Sequence, residues 1–124
     1  MNLVDSSGWL EFFSDGPLAD HYAEYLADPS KVLTPTVVLY EVYKWIKRSR
    51  SEEEALIVAA RLTGTMVVSL QPTVALEAGD LSLEHGLAMA DALIYATALH
   101  HQASVITSDA DFEHLPGVVY LAKS

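Results

Sequence analysis

The stretch from Leu87 to Phe112, LAMADALIYATALHHQASVITSDADF, constrains this chain more than any other. It reads as an apolar helix, a tight turn, a β-branched strand and an acidic loop. Asp91 stands inside the helix, and its neighbours three and four positions away are Leu87, Ala88, Ile94 and Tyr95. The carboxylate is therefore expected on a buried face. A lone buried carboxylate is costly, and a hydrogen-bonded partner or a metal is the usual compensation. The strand Ala103-Ser104-Val105-Ile106 runs into Thr107-Ser108-Asp109-Ala110-Asp111-Phe112. Two more acids thus follow the carboxyl end of a strand, where open α/β sheets bind their ligands.

The rest of the chain alternates strands and helices. Asn2-Leu3-Val4 is a buried strand ending at Asp5, and Ser6 opens a helix with Trp9, Leu10, Phe12 and Phe13 on its apolar face. Asp15-Gly16-Pro17 breaks it. A second helix covers Leu18 to Leu26, and Lys31–Thr34 is a short strand before Pro35. Thr36 is expected to cap a long helix to about Arg48, with Val37, Val38, Glu41, Val42 and Trp45 on one face. Ser51, with Glu54 three residues on, is a capping box opening a helix that Gly64 ends. Thr65–Leu70 is a strand, Gln71-Pro72-Thr73 leads into a helix ended by Gly86, and Val118–Leu121 is a last strand. Strands near 2–5, 31–34, 65–70, 103–107 and 118–121 with helices between them predict a parallel α/β sandwich covered by helices on both faces.

At 124 residues the chain is expected to form one domain, residues 1–124. Hydrophobic residues at 51% against 19% charged place it among globular proteins. The lack of cysteine excludes disulfides and thiolate metal sites. No apolar run approaches the roughly 18 residues of a membrane span. The start, MNLVDSSGW, is no signal peptide, so a cytoplasmic protein is expected. The net charge of −10 argues against a broad electrostatic grip on nucleic acid, though not against a nuclease whose acids hold cations. Positive charge is local: Lys44, Lys47, Arg48 and Arg50 lie in one heptapeptide.

Two further acids interrupt apolar surroundings. Asp5 ends the first strand as Asp109 follows the fourth, and Glu41 lies beside Val37, Val38 and Trp45 on a helix. Four hard oxygen donors suit Mg²⁺ or Mn²⁺, and clustered carboxylates repel strongly without a cation. Taken singly, each has a plainer role. Asp5 can cap the helix at Ser6, Asp109 a turn through Glu113, Asp91 the start of its own helix, and Glu41 can pair with Lys44. Their joint occurrence favours a site.

The segments VDSSGW, TPTVVLYEV, ADALIYATAL and VITSDADF, in this order and spacing, resemble the PIN-domain ribonucleases, specifically the VapC toxins of prokaryotic toxin–antitoxin pairs. The resemblance covers essentially the whole chain. It implies a PIN-like sandwich around a mostly parallel sheet of about five strands. It implies a Mg²⁺- or Mn²⁺-dependent endoribonuclease whose site acids are Asp5, Glu41, Asp91 and Asp109. Ser6 and Thr107 match the family's small hydroxyl residues beside the site, and Asp111 matches an acid that is usually peripheral. It also implies a cognate antitoxin and a dimeric toxin. An Arg or Lys delivered by the antitoxin is expected to pair with the acids and displace metal. Trp9, Phe12, Tyr43 or Trp45 is expected to line the partner groove.

Two other classes compete. A phosphoacceptor receiver domain shares strand-end acids, but it needs a paired acid motif on the first strand, and here serines follow Asp5. A non-catalytic interaction domain of this fold has no need of all four acids. The basic heptapeptide can touch RNA phosphates or simply solvate a helix end. The pair His100-His101 closes a helix, where imidazolium suits the dipole.

Overall fold

The structure, a computed structural model, describes residues 1–123. Strand β1 (Asn2–Val4) leads into helices α1 (Ser6–Phe13) and α2 (Ala19–Leu26). A 3₁₀ turn at Pro29–Lys31 precedes β2 (Leu33–Pro35), α3 (Thr36–Ser49) and α4 (Glu52–Thr63). Then come β3 (Met66–Val68), α5 (Pro72–His85), α6 (Met89–His100) and β4 (Ser104–Thr107). A 3₁₀ turn at Ala110–Phe112 and β5 (Val118–Tyr120) complete the order. Among the described residues, no helix is long and apolar enough to cross a membrane.

Local chemistry sets most of these boundaries. The Asp5 carboxylate accepts from Gly8 N at 3.0 Å and so caps α1. Ser51 accepts from Glu54 N at 3.0 Å, as a capping residue should. Gly86, at φ 69°, ends α5 in the left-handed region that glycine enters without strain. Thr36 does not cap α3. Pro35 takes that place in extended geometry, and Thr36 is the first helical residue.

Every strand pairing is parallel. β4 lies between β1 and β5, with Leu3 opposite Val105 and Ile106 opposite Val119. β2 pairs with β3, Leu33 facing Met66. The expected single sheet is therefore split into ladders of three and two strands, joined by one bridge between Asn2 and Val32. A turn at Pro29 precedes β2: Val32 N donates to Pro29 O at 3.2 Å, and Val32 O accepts from Met66 N at 2.9 Å, so Val32 bonds toward β3. The same turn delays the start of β2 to Leu33, two residues later than in the expected 31–34.

Leu3, Val4, Val105 and Ile106 are consecutive and fully buried in their strands, which requires cover on both faces. Helix α6 is the most enclosed cover, burying Ala92 and the run Ile94–Ala98. On α3 the buried stripe is Val38, Val42 and Ile46, spaced four apart, with Glu41 half-buried beside it. Trp45, expected on that apolar face, is 38% exposed, because Ile46 takes the inward position. Trp9 is the reverse: at 2% exposure it belongs to the core, stacked on Phe13 at 5.7 Å, and has almost no surface to offer a partner.

Gly8 is where α1 meets α2. A Cβ there would collide with the Tyr22 ring and come within 2.6 Å of Val4 Cγ1. Alanine would gain about 1 kcal/mol of helix propensity, but overpacking at such a contact costs about 1–3 kcal/mol. Gly8→Ala is therefore expected to lower the thermal midpoint, and an unchanged or raised midpoint would show that α2 yields freely.

Candidate active site

Parallel topology explains why distant acids meet. Asp5 follows β1 and Asp109 follows β4, so both stand at the carboxyl edge of the same ladder. Helix α6 feeds β4 and runs back against it, which brings the start of α6, with Asp91, to that edge. Helix α3 leaves the same edge after β2, with Glu41 in its second turn.

Asp5 is 3% exposed, and both of its carboxylate oxygens accept hydrogen bonds. Its Oδ1 accepts from Gly8 N at 3.0 Å and from Ser7 Oγ at 2.8 Å, and its Oδ2 accepts from Thr107 Oγ1 at 2.6 Å. Thr107 Oγ1 in turn accepts from Asp109 N at 2.9 Å. One buried hydroxyl thus ties the acid after β1 to the backbone after β4. Burial pushes the Asp5 carboxyl above the ordinary range, and the Asp109 charge adds to it, against the hydrogen bonds from Thr107, Ser7 and Gly8.

Asp109 caps its own turn, Oδ1 accepting from Asp111 N at 2.9 Å. The capping roles of Asp5 and Asp109 and their place in the cluster coexist, since a capping carboxylate keeps free lone pairs. Glu41 Oε1 accepts from Ser6 Oγ at 2.6 Å, which fixes α3 against the start of α1.

Asp91 departs from the sequence reading in position. It is not on a buried mid-helix face; it is half-buried in the first turn of α6, which begins at Met89. The helix terminus should favour its charge, yet its carboxyl is pushed up to about 6. Burial is the first cause, followed by the negative charges of Asp109, Asp111, Asp5 and Glu41. Repulsion and desolvation outweigh the dipole. Asp91, Asp109 and Asp111 each offer a carboxylate oxygen within 4.8 Å of the others. Asp111, read from the sequence as peripheral, is thus an exposed member of this tightest group.

Such a donor set fits a hard divalent cation: the oxygens are anionic, convergent and partly open to water, with no thiolate or imidazole in the group. Asp5 and Glu41 adjoin it as further negative charge.

Sequence reading missed three supports. Tyr22 OH and Ser108 Oγ lie 2.6 Å apart, and Tyr22 is pushed up to about 12 by burial and the nearby Asp5 and Glu11 charges. Ser7 braces Asp5. Glu11, 8% exposed, accepts from Leu18 N at 2.9 Å and meets Lys123 Nζ at 3.6 Å, which closes the turn between α1 and α2. The only sequence signal for Glu11 was an acid between Leu10 and Phe12.

A comparison with curated protein sequences returns no match. Solved structures match over nearly the full length. A toxin–antitoxin complex from Klebsiella pneumoniae contains a chain 27% identical, with 96% of each chain covered and a TM-score of 0.81. The VapC20 toxin of Mycobacterium tuberculosis, which cleaves the sarcin–ricin loop, is 20% identical over 99% of this chain and 100% of its own, at a TM-score of 0.78. FitAcB from Neisseria gonorrhoeae is 18% identical over 98% and 97%, at 0.75. The PIN domain model matches residues 3–118. With a match of that extent, over a parallel α/β frame whose acids gather at one edge, the chain belongs to the PIN-domain family.

Proposed function

We propose that the chain, as a single PIN unit over residues 1–124, is a cytoplasmic Mg²⁺- or Mn²⁺-dependent endoribonuclease, the VapC-type toxin of a toxin–antitoxin pair. The observation that carries this reading is the convergence of Asp91, Asp109 and Asp111, whose carboxylate oxygens lie within 4.8 Å of one another. Burial and four neighbouring acids also push the Asp91 carboxyl up to about 6, a repulsion that a bound cation would relieve. Asp91, Asp109 and Asp111 would hold the cation, with Asp5 and Glu41 completing the site. The bound ion would supply charge neutralisation for an in-line phosphoryl displacement by water. The chain's own contribution is order. Thr107 locks Asp5 to the Asp109 backbone, and Ser6 holds Glu41, so the acids are positioned before substrate arrives. Water attacking in line with the P–O3′ bond would expel the 3′ oxygen, leaving a 5′-phosphate on one product and a 3′-hydroxyl on the other, with no Ser or Cys nucleophile needed.

The similarity to a chain of the Klebsiella pneumoniae toxin–antitoxin complex supports a protein antitoxin as partner. An antitoxin Arg or Lys entering the acid cluster would neutralise it and exclude the cation. Exposed Leu76, Leu83 and Met89 offer apolar surface for self-association as a homodimer. The test is cleavage of total RNA by the purified chain. Activity should require Mg²⁺ or Mn²⁺ and vanish in excess chelator, and undiminished cutting in chelator would reject the metal-dependent mechanism.

A further inference from the structure

A cavity of about 260 Å³ opens beside the acid cluster, lined by Ser6, Glu41, Tyr40, Lys44, Trp45 and Arg48. Two of its walls, Ser6 and Glu41, are joined by the 2.6 Å hydrogen bond at the edge of the candidate active site. The cavity therefore continues the site along α3.

The basic residues of α3 and its end divide into two sets. Lys47 pairs with Glu52 at 3.1 Å, and Arg50 with Glu54 at 3.4 Å, so α4 neutralises both. Lys44 and Arg48, four residues apart, line the cavity instead, and among the described residues neither meets an acid within salt-bridge distance. Lys44 Nζ donates to Tyr40 OH at 3.2 Å and sits 5.4 Å above the Tyr40 ring, which holds the ammonium in the cavity wall. Tyr40 is 59% exposed and Trp45 38%, so both present ring surface to solvent. In a chain of net charge −10, a polyanion must be drawn in by local cations.

We propose that this cavity is a nucleotide subsite for the RNA strand. Lys44 and Arg48 bind a backbone phosphate next to the cleaved bond, and Tyr40 and Trp45 stack on the adjoining base. The proposal rests on the ribonuclease reading above and deepens it. Charge decides between RNA and a protein segment as occupant: cations with no acid within salt-bridge distance, beside exposed aromatic rings and continuous with the candidate active site, match a nucleotide. Stacking tolerates any base, so the subsite would contribute affinity more than sequence choice.

The test compares Lys44→Gln/Arg48→Gln and Trp45→Ala with Lys47→Gln/Arg50→Gln, which removes the neutralised pair. Cleavage kinetics are measured on a single-stranded RNA. Binding of the same RNA to each protein on an Asp91→Asn background is followed by fluorescence anisotropy across salt concentrations. Loss of uniform binding raises KM and leaves kcat in place. Lys44→Gln/Arg48→Gln should raise KM about tenfold or more and reduce the salt slope of binding by about 0.7, the value for one phosphate contact on a single strand. Trp45→Ala should weaken binding roughly fivefold to a hundredfold. The Lys47→Gln/Arg50→Gln control should change neither. Wild-type cleavage with unchanged KM and salt slope in both test variants overturns the subsite and leaves the ribonuclease reading standing. Unchanged cleavage combined with lost antitoxin binding assigns the face to the protein partner and also overturns it. An inactive wild type that still binds RNA through these residues supports the subsite and removes the ribonuclease reading.

Discussion

Asp91→Asn is expected to abolish metal-dependent RNA cleavage while making the metal-free protein more stable. Replacing even the outer partners of metal ligands costs about 10- to 100-fold, so loss of a ligand carboxylate should exceed a hundredfold. Stability moves the other way. The Asp91 carboxyl stands at about 6 in the folded chain against an ordinary 3.8. The folded state therefore holds this proton more tightly than the unfolded one. As pH rises from about 4 through 6 the unfolded chain ionises first, and folding loses stability; above 6 the loss is complete. The full shift corresponds to about 3 kcal/mol, and half-exposure to water reduces it to about 1–2 kcal/mol. Asparagine removes the penalty, so the thermal midpoint should rise by about 4–8 °C at pH 7. The gap between the two proteins should shrink towards pH 4. Mg²⁺ should stabilise the wild type and leave the variant unmoved. A folded Asp91→Asn protein with full activity would return Asp91 to a purely structural role.

Asp5→Ala should also abolish cleavage, but with the opposite effect on stability. The Asp5 carboxylate caps α1 and receives the Thr107 hydroxyl, all at 3% exposure. Losing a helix cap costs about 1 kcal/mol, and each buried donor left without an acceptor about 1–3 kcal/mol. Removal of a buried charge offsets part of this, since burial already pushes the Asp5 carboxyl upward. The net expectation is a loss of about 2 kcal/mol, or roughly 8 °C in thermal midpoint. Calorimetry on Asp5→Ala and Asp91→Asn side by side separates the two roles. If both variants are stabilised, the Thr107–Asp5 hydrogen bond does not brace the strands as described.

What the sequence determined by itself is local and periodic. Apolar pairs such as Leu3-Val4 and Val105-Ile106 mark strands covered on both sides. Ser51 with Glu54, and Gly86 after a helical run, mark helix ends, because caps and left-handed turns depend on residues within one turn of each other. Asp5, Glu41, Asp91 and Asp109 stand out as acids in apolar settings. Tertiary structure decided the rest, because it joins residues far apart in the chain. Thr107 reaches Asp5 across 102 positions, and Ser6 reaches Glu41 across 35. The loop after β4 folds into a capped turn, and this carries Asp111 to Asp91, which no spacing rule anticipates. The turn between α1 and α2 buries Glu11, Trp9 enters the core, and Trp45 turns to solvent because Ile46 fills the inward position. The four bases of one heptapeptide look alike in sequence. They differ only because α4 brings Glu52 and Glu54 to Lys47 and Arg50 and leaves Lys44 and Arg48 facing the site.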